Sequence, residues 1–129
     1  MIFSLLITAS PHSQASYSAW RFAQTLLQQG HSLYRVFFYQ DGSYHGSQLT
    51  VPPQQEWDPI GQWQQLQQQY SLELVVCIAA GLRRGIIDST EADRYQQQAA
   101  TLADGMALVG LGELVDASIH CDRLVTFGG

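Results

Sequence analysis

The chain contains no lysine: its six basic residues are all arginines, set against eleven acidic ones, and the formal net charge is −5. A surface this acidic has no basic patch to hold a phosphate backbone, so direct nucleic-acid binding is excluded. Charged residues of every kind make up only 13% of the sequence. So sparse a charge points to a face that meets another protein. Cysteine is equally scarce. Cys77, Cys121 and four scattered histidines fit no structural zinc spacing, and neither a metal nor any other cofactor is expected. Two cysteines outside any disulfide framework suit a reducing, cytoplasmic setting. The opening run from Met1 to Ile7 has no basic flank and is too short to cross a bilayer, so no leader and no membrane contact are expected.

What is present is 129 residues, 46% of them hydrophobic. That is enough to bury about two-thirds of the unfolded surface in one domain spanning residues 1–129. Ile2 to Thr8 reads as a strand and Ser13 as the cap of a helix whose face carries Ala15, Ala19, Phe22, Ala23, Leu26 and Leu27, with Gly30 as its stop. Leu33 to Phe38 is a second strand, parallel to the first through a right-handed crossover. Tyr39 to Val51 reads as a long extended connection. Asp58 and Pro59 open a glutamine-rich helix with Ile60, Trp63, Leu66 and Tyr70 on its inner side. Ser89 or Thr90 caps another helix, with Ala92, Tyr95, Ala99 and Leu102 facing inward. A short strand between Gly105 and Gly110, a helix marked by Leu111, Leu114, Val115 and Ile119, and a buried strand from Arg123 to Phe127 complete an α/β fold. A mostly parallel sheet of about five strands, flanked by helices in three layers, is the expected architecture.

The chain is organised around Leu72 to Ile87. Leu74 to Ile78 is apolar without alternation, as in a central parallel strand, and Ala79-Ala80-Gly81 allows a tight turn into a short helix that Gly85 ends. Binding sites of α/β proteins gather at the carboxyl ends of parallel strands, and Cys77 stands at that edge, expected to face a surface cleft. Amide groups at a helix start favour a thiolate over a thiol, which makes such a cysteine a nucleophile that accepts sulfur as a persulfide. Equally, Cys77 fits a small buried core residue.

Arg83 and Arg84 suit two roles: holding an anionic sulfur or an acidic partner, or capping the carbonyls of the short helix. His12, in the first strand-to-helix turn, lies on the same edge and suits a proton carrier or partner contact. Cys121, beside Asp122, reads as a packing residue. Tyr39, Tyr44, Trp57 and Trp63 flank the long connection as candidates for an interface. The Ser10 to Ser13 turn lacks the glycine pattern of a phosphate loop, which ranks a flavodoxin-like ligand site last.

The opening strand with Ser10-Pro11, FAQTLLQQGH (Phe22 to His31), VFFYQDG (Val36 to Gly42), VCIAAGLRRGI (Val76 to Ile86), GLGELVDA and CDRLVTF together resemble the DsrE family nearly end to end. The sequence departs from that family at Ser10, where glycine is commoner, and at Ser43, where an aliphatic residue is. The resemblance implies a sulfurtransferase whose Cys77 takes sulfur from a TusA-like donor and passes it to a TusE-like acceptor, towards 2-thiouridine at the tRNA wobble position. It also implies a heterohexamer with TusB-like and TusC-like subunits. The alternatives it leaves are a DsrE subunit of a DsrEFH complex in sulfur oxidation and a non-catalytic structural subunit.

Overall fold

Strands rich in β-branched and aromatic residues alternate with amphipathic helices along the chain, and the computed structural model, which describes all residues from Met1 to Gly129, assembles them into one parallel sheet. The strands are β1 (Ile2–Ile7), β2 (Ser32–Phe38), β3 (Leu74–Cys77), β4 (Met106–Val109) and β5 (Arg123–Phe127). They lie in the order β4-β3-β2-β1-β5, every neighbouring pair parallel. The expected three-layer α/β architecture is therefore present, with five strands.

The strand order decides which face each helix covers. From β1 to β4 the chain steps across the sheet in one direction, so right-handed crossovers put α1 (Gln14–Gln28) and α2 (Pro59–Tyr70) on the same face. There Ala19, Trp20, Ala23 and Leu26 of α1 and Trp63 and Leu66 of α2 bury the main core against Leu5, Ile7, Val36, Phe38, Leu74 and Val76. After β4 the chain returns past β1 to place β5, and the same handedness sends α5 (Gly112–Ile119) to the other face. That second face holds a smaller cluster, Phe37, Val75, Cys77 and Ala80, and has one eight-residue helix lying across it.

Local signals in the sequence place most boundaries. Ser13 accepts from the Ser16 amide and Asp58 from the Gly61 amide, both as N-caps. Gly30 and Gly85 take the left-handed conformation just beyond α1 and α3 (Ile78–Arg83), at φ +87 and +74. Four expectations are corrected. Residues Gln40–Gly46 of the long connection wind into a 3-10 helix. Helix α4 (Ser89–Arg94) is capped by Asp88, whose carboxylate takes the Glu91 amide at 2.9 Å, and it ends before Gln96, whose φ of +56 breaks the helical run, so Tyr95 and Ala99 are exposed. β5 pairs on one side alone, with β1, and is a half-exposed edge strand. In α5 the apolar stripe Leu111, Val115 and Ile119 faces outward at 48%, 58% and 70% exposure. Its inward side is Ala117 and a polar clasp: Arg35, buried on β2, reaches Glu73 at 3.0 Å, Glu113 at 3.1 Å and Asp116 at 2.8 Å.

Candidate functional site

Cys77 is the last residue of β3, level with Val109 in the β3–β4 ladder, and the N-cap position of α3. It stands where the run of apolar residues places it, at the carboxyl edge between strand and helix. Its thiol makes no capping bond to the helix. The expected cleft is absent. Cys77 is 2% exposed, because the half-buried side chains of Leu6, Tyr39, Val109 and Leu114 close over the cluster it belongs to. Those four come from the ends of β1, β2 and β4 and from α5, and pack against the second-face cluster in which the thiol is buried.

The 3-10 helix after β2 forms the neighbouring wall of this edge. Its Gly42 amide donates to the Thr8 and Tyr39 carbonyls at 3.1 and 2.9 Å, seating the turn on the ends of β1 and β2. A Cβ on Gly42 would stand 2.0 Å from the Ile7 carbonyl oxygen, so this approach requires glycine. Arg84 connects the turn to α3: its Nη2 and Nε donate to Asp41 Oδ1 at 3.0 and 3.2 Å, and its Nη1 to the Ala80 carbonyl at 3.0 Å. Arg84 thus serves the structural role of the two weighed for it, holding the helix that begins at Cys77. Arg83, one residue earlier, is exposed and makes neither hydrogen bond nor ion pair; it lines a groove of about 410 Å³ with Leu82, Ile87, Tyr95 and Gln97. The two arginines therefore point to different tasks.

His12 is exposed in the β1–α1 turn. It lies close enough to the 3-10 helix for its charge to be felt by His45, a residue whose sequence context says nothing. His45 is wholly buried, stacked on Phe38 with ring centroids 4.6 Å apart, and its Nδ1–H donates to the Gly42 carbonyl at 2.8 Å. Burial pushes the imidazole down from 6.5 to about 4, against the opposing pull of the Gly42 carbonyl; the charge of His12 adds to the lowering. His45 is therefore neutral at physiological pH, with Nε2 buried and unpartnered, as is the hydroxyl of the equally buried Ser43. Cys121 precedes β5 at the amino edge of the sheet, whereas Cys77 ends β3 at the carboxyl edge. Strand length alone separates the two by more than ~10 Å, beyond disulfide reach. Both thiols are free. No group of three or more potential metal ligands lies together.

The DsrE/DsrF-like family model matches residues 1–127. The chain belongs to the DsrE/DsrF-like family. It is 49% identical over 128 residues to Sulfurtransferase TusD of Erwinia tasmaniensis, covering 98% of this chain and 100% of the relative. It is 46% identical over 129 residues to the DsrE protein of Allochromatium vinosum, covering 99% of each. Among solved structures, the ychN protein of E. coli superposes with a TM-score of 0.75 over 98% of this chain and 97% of that one, at 23% identity, a likeness of fold. The resemblance read from the VFFYQDG and VCIAAGLRRGI segments is thus confirmed at the level of the family.

The covering residues Tyr39, Val109 and Leu114 and the buried His45 are what a reading of the sequence misses as parts of this edge. Tyr39 stands out in the sequence as an aromatic beside the long connection. Nothing local to Val109 or Leu114 marks them, since their meeting over Cys77 follows from the return of the chain to the second face.

Proposed function

We propose that this sulfurtransferase of the DsrE/DsrF-like family carries sulfur as a persulfide on Cys77. The observation that carries the reading is the thiol's position: end of a central strand, start of a helix, free of hydrogen bonds, and in a small side-chain cluster on the face with a single short helix. The Cys77 thiolate attacks the outer sulfur of a donor persulfide. A sulfur–sulfur bond forms to Cys77, the donor's own sulfur–sulfur bond breaks, and the electron pair leaves on the donor as a thiolate, so the transfer involves no net oxidation. An acceptor thiolate repeats the exchange on the Cys77 persulfide. The donor is a TusA-like protein and the acceptor a TusE-like one, in a route to wobble 2-thiouridine in the cytoplasm. Relatives named TusD and DsrE both match end to end, so sulfur oxidation through a DsrE-type complex stands beside that route as its alternative.

Partner subunits fit the same reading. On the second face, Leu111, Val115 and Ile119 line the outer side of α5, and Leu124 of the edge strand β5 is also exposed. An apolar stripe on a chain with so little charge is a seam for TusB-like and TusC-like subunits in a heterohexamer. Leu114 is on the helix that carries this stripe and packs against the cluster that holds Cys77, so a subunit seated on α5 bears on the surroundings of the thiol. His12 is the one further side chain of the edge that we assign to partner contact.

The burial of Cys77 favours a second reading, an inert core cysteine in a structural subunit. Mass spectrometry of wild type and Cys77→Ser after mixing with a persulfidated donor, alone and in the assembled complex, separates the two. Sulfur added to Cys77 in wild type, with loss of both uptake and wobble-uridine thiolation in the serine variant, establishes the relay. Uptake retained without Cys77 rejects it.

A further inference from the structure

The extended backbone of β2 runs on for one residue past its last ladder pair, as Tyr39. The φ and ψ of Tyr39, −136 and 159, are those of a strand, and its amide still reaches β1, donating to the Ile7 carbonyl at 3.0 Å. Phe37 is level with Val75 and Phe38 with Val76, so the next step brings Tyr39 level with Cys77 on the neighbouring strand. Backbones of level residues on adjacent strands stand about 5 Å apart, and alternation puts Tyr39 on the face of Phe37 and Cys77 on that of Val75, one shared cluster. Of the hydrophobic side chains in or against that cluster, Tyr39 alone carries a hydrogen-bonding group besides the thiol. Its ring meets Phe37 edge-on with centroids 6.3 Å apart, and its hydroxyl has no partner in the chain, whereas Tyr34 earlier on the strand commits its own to Asp116 at 2.7 Å. Nor is that hydroxyl shut away from solvent, as the Ser43 hydroxyl and His45 Nε2 are. The charged groups of the elements packed around this edge are engaged with one another, Arg84 with Asp41 and both Glu113 and Asp116 with Arg35, while Arg83 lies with Leu82, Ile87 and Tyr95. His45 is stacked on Phe38, which belongs to the opposite face.

We infer that the Tyr39 hydroxyl donates a hydrogen bond to the outer sulfur of the Cys77 persulfide and holds the carried sulfur as an anion. The inference rests on the proposed function and assigns the residue that stabilises its intermediate. Tyrosine is far longer than cysteine, so from neighbouring level positions the hydroxyl reaches farther from the sheet than Sγ does. The thiol itself makes no hydrogen bond. A persulfide places its outer sulfur about 2 Å beyond Sγ, towards the level of the hydroxyl, and the added atom spans the gap. Loading thus puts a negative charge beside leucine, valine and phenylalanine side chains, where an anion without a donor is costly. An O–H donor to an anion makes a bond roughly twice as strong as one between neutral groups, and Tyr39 is placed to supply it.

Tyr39→Phe keeps the ring and removes only a hydroxyl without a partner, so the fold is retained, and an unchanged urea midpoint checks this. Cys77 of wild type and variant is loaded with glutathione persulfide in the assembled complex. Alkylation of the loaded site by iodoacetamide is then followed against pH, on the Cys77 peptide, by mass spectrometry. In Tyr39→Phe the midpoint of this profile rises by about one pH unit, because a hydrogen bond to the charged form is lost. For unloaded Cys77, alkylated in the same way, the profiles of wild type and variant coincide. An unchanged profile for the loaded site in Tyr39→Phe overturns the inference, while wild-type loading of Cys77 leaves the proposed function standing. Equal displacement of the loaded and unloaded profiles shows the hydroxyl acting on the thiol rather than on the outer sulfur, and also overturns it. Failure of wild-type Cys77 to take up sulfur from either glutathione persulfide or a persulfidated TusA-like protein removes the proposed function, and the inference with it.

Discussion

Leu114→Ala tests whether the cover over Cys77 governs access to its thiol. In the isolated chain Cys77 is 2% exposed while Cys121 is half-buried, its thiol 3.8 Å from the Ser118 carbonyl, so the two cysteines provide a slow site and an internal reference in one molecule. We take reaction at Cys77 to require two of the side chains packed against its cluster, Leu114 and one of Leu6, Tyr39 and Val109, to move away from Phe37, Val75 and Ala80. Each is half-buried, and exposing the remaining apolar surface of one such side chain costs about 1–1.5 kcal/mol. Displacing two costs about 2–3 kcal/mol, which places Cys77 alkylation roughly 30- to 150-fold below an open thiol in the wild type. Removing the Leu114 side chain eliminates one of the displaced groups, and the Cys77 rate rises about tenfold with the Cys121 rate unchanged. Timed iodoacetamide labelling, quantified peptide by peptide, reads both sites at once, and urea unfolding checks that the variant stays folded. Labelling of wild-type Cys77 as fast as Cys121, or a Leu114→Ala rate equal to wild type, refutes the reasoning.

Three further outcomes follow from buried polar groups and close backbone approaches. The folded-state value of His45 lies below the unfolded one, so the stability that comes from keeping it neutral is complete above about pH 6.5 and is lost as pH falls towards 4. About 2–3 kcal/mol disappears by pH 4.5, read as a falling urea midpoint that His45→Gln flattens; the carboxyl of Asp116, held below its usual range by the Tyr34 hydroxyl and then Arg35, gives way at lower pH than His45. Ser43→Ala removes a buried hydroxyl with no partner and raises stability by about 1 kcal/mol, whereas Gly42→Ala, one residue earlier, drives a Cβ into the Ile7 carbonyl and lowers it by more than about 2 kcal/mol; thermal denaturation distinguishes the two signs. Arg35→Met leaves Glu73, Glu113 and Asp116 without their shared cation, costs about 2 kcal/mol in chemical denaturation, and increases hydrogen exchange in α5 more than in α1.

The parts of this fold that were legible in the sequence are those set by neighbours along the chain. Ser13 and Asp58 act as caps because a side-chain oxygen reaches an amide three residues on, and Gly30 and Gly85 end helices because only a residue tolerant of positive φ fits there. The strand carrying Cys77 was equally plain, since Leu74 to Cys77 is buried on both faces and needs no alternation. What was not legible depends on where the chain crosses the sheet. Val115 and Ile119 have the spacing of a core-facing stripe, and so does Ala117 with its neighbours. The clasp of Arg35 on Glu113 and Asp116 selects the second orientation and turns the first outward. Likewise, Cys77 was placed correctly at its edge but with the wrong accessibility, because the side chains over it arrive from β1, β2, β4 and α5. His45 carried no signal at all: a histidine in a polar loop became a core residue once the loop wound into a 3-10 helix against Phe38.

The asymmetry of the two sheet faces links these observations to function. One face is sealed by α1 and α2 with three tryptophans in or against its core, and a reaction there would have to open the main hydrophobic cluster. The other has a single short helix fixed by a polar clasp, with an unpartnered apolar stripe on its outer side. The α5 layer holds a smaller apolar cluster than the tryptophan-filled core, and the carboxylates around Arg35 are 36–50% exposed, so a competing contact shifts this layer at lower cost. A partner that buries Leu111, Val115 and Ile119 therefore acts on that layer, and Leu114 on the same helix packs against the cluster that holds Cys77. A buried thiol and the proposed role in sulfur transfer are compatible on this face: the helix packed against the thiol's cluster also carries the exposed apolar stripe proposed as a subunit seam.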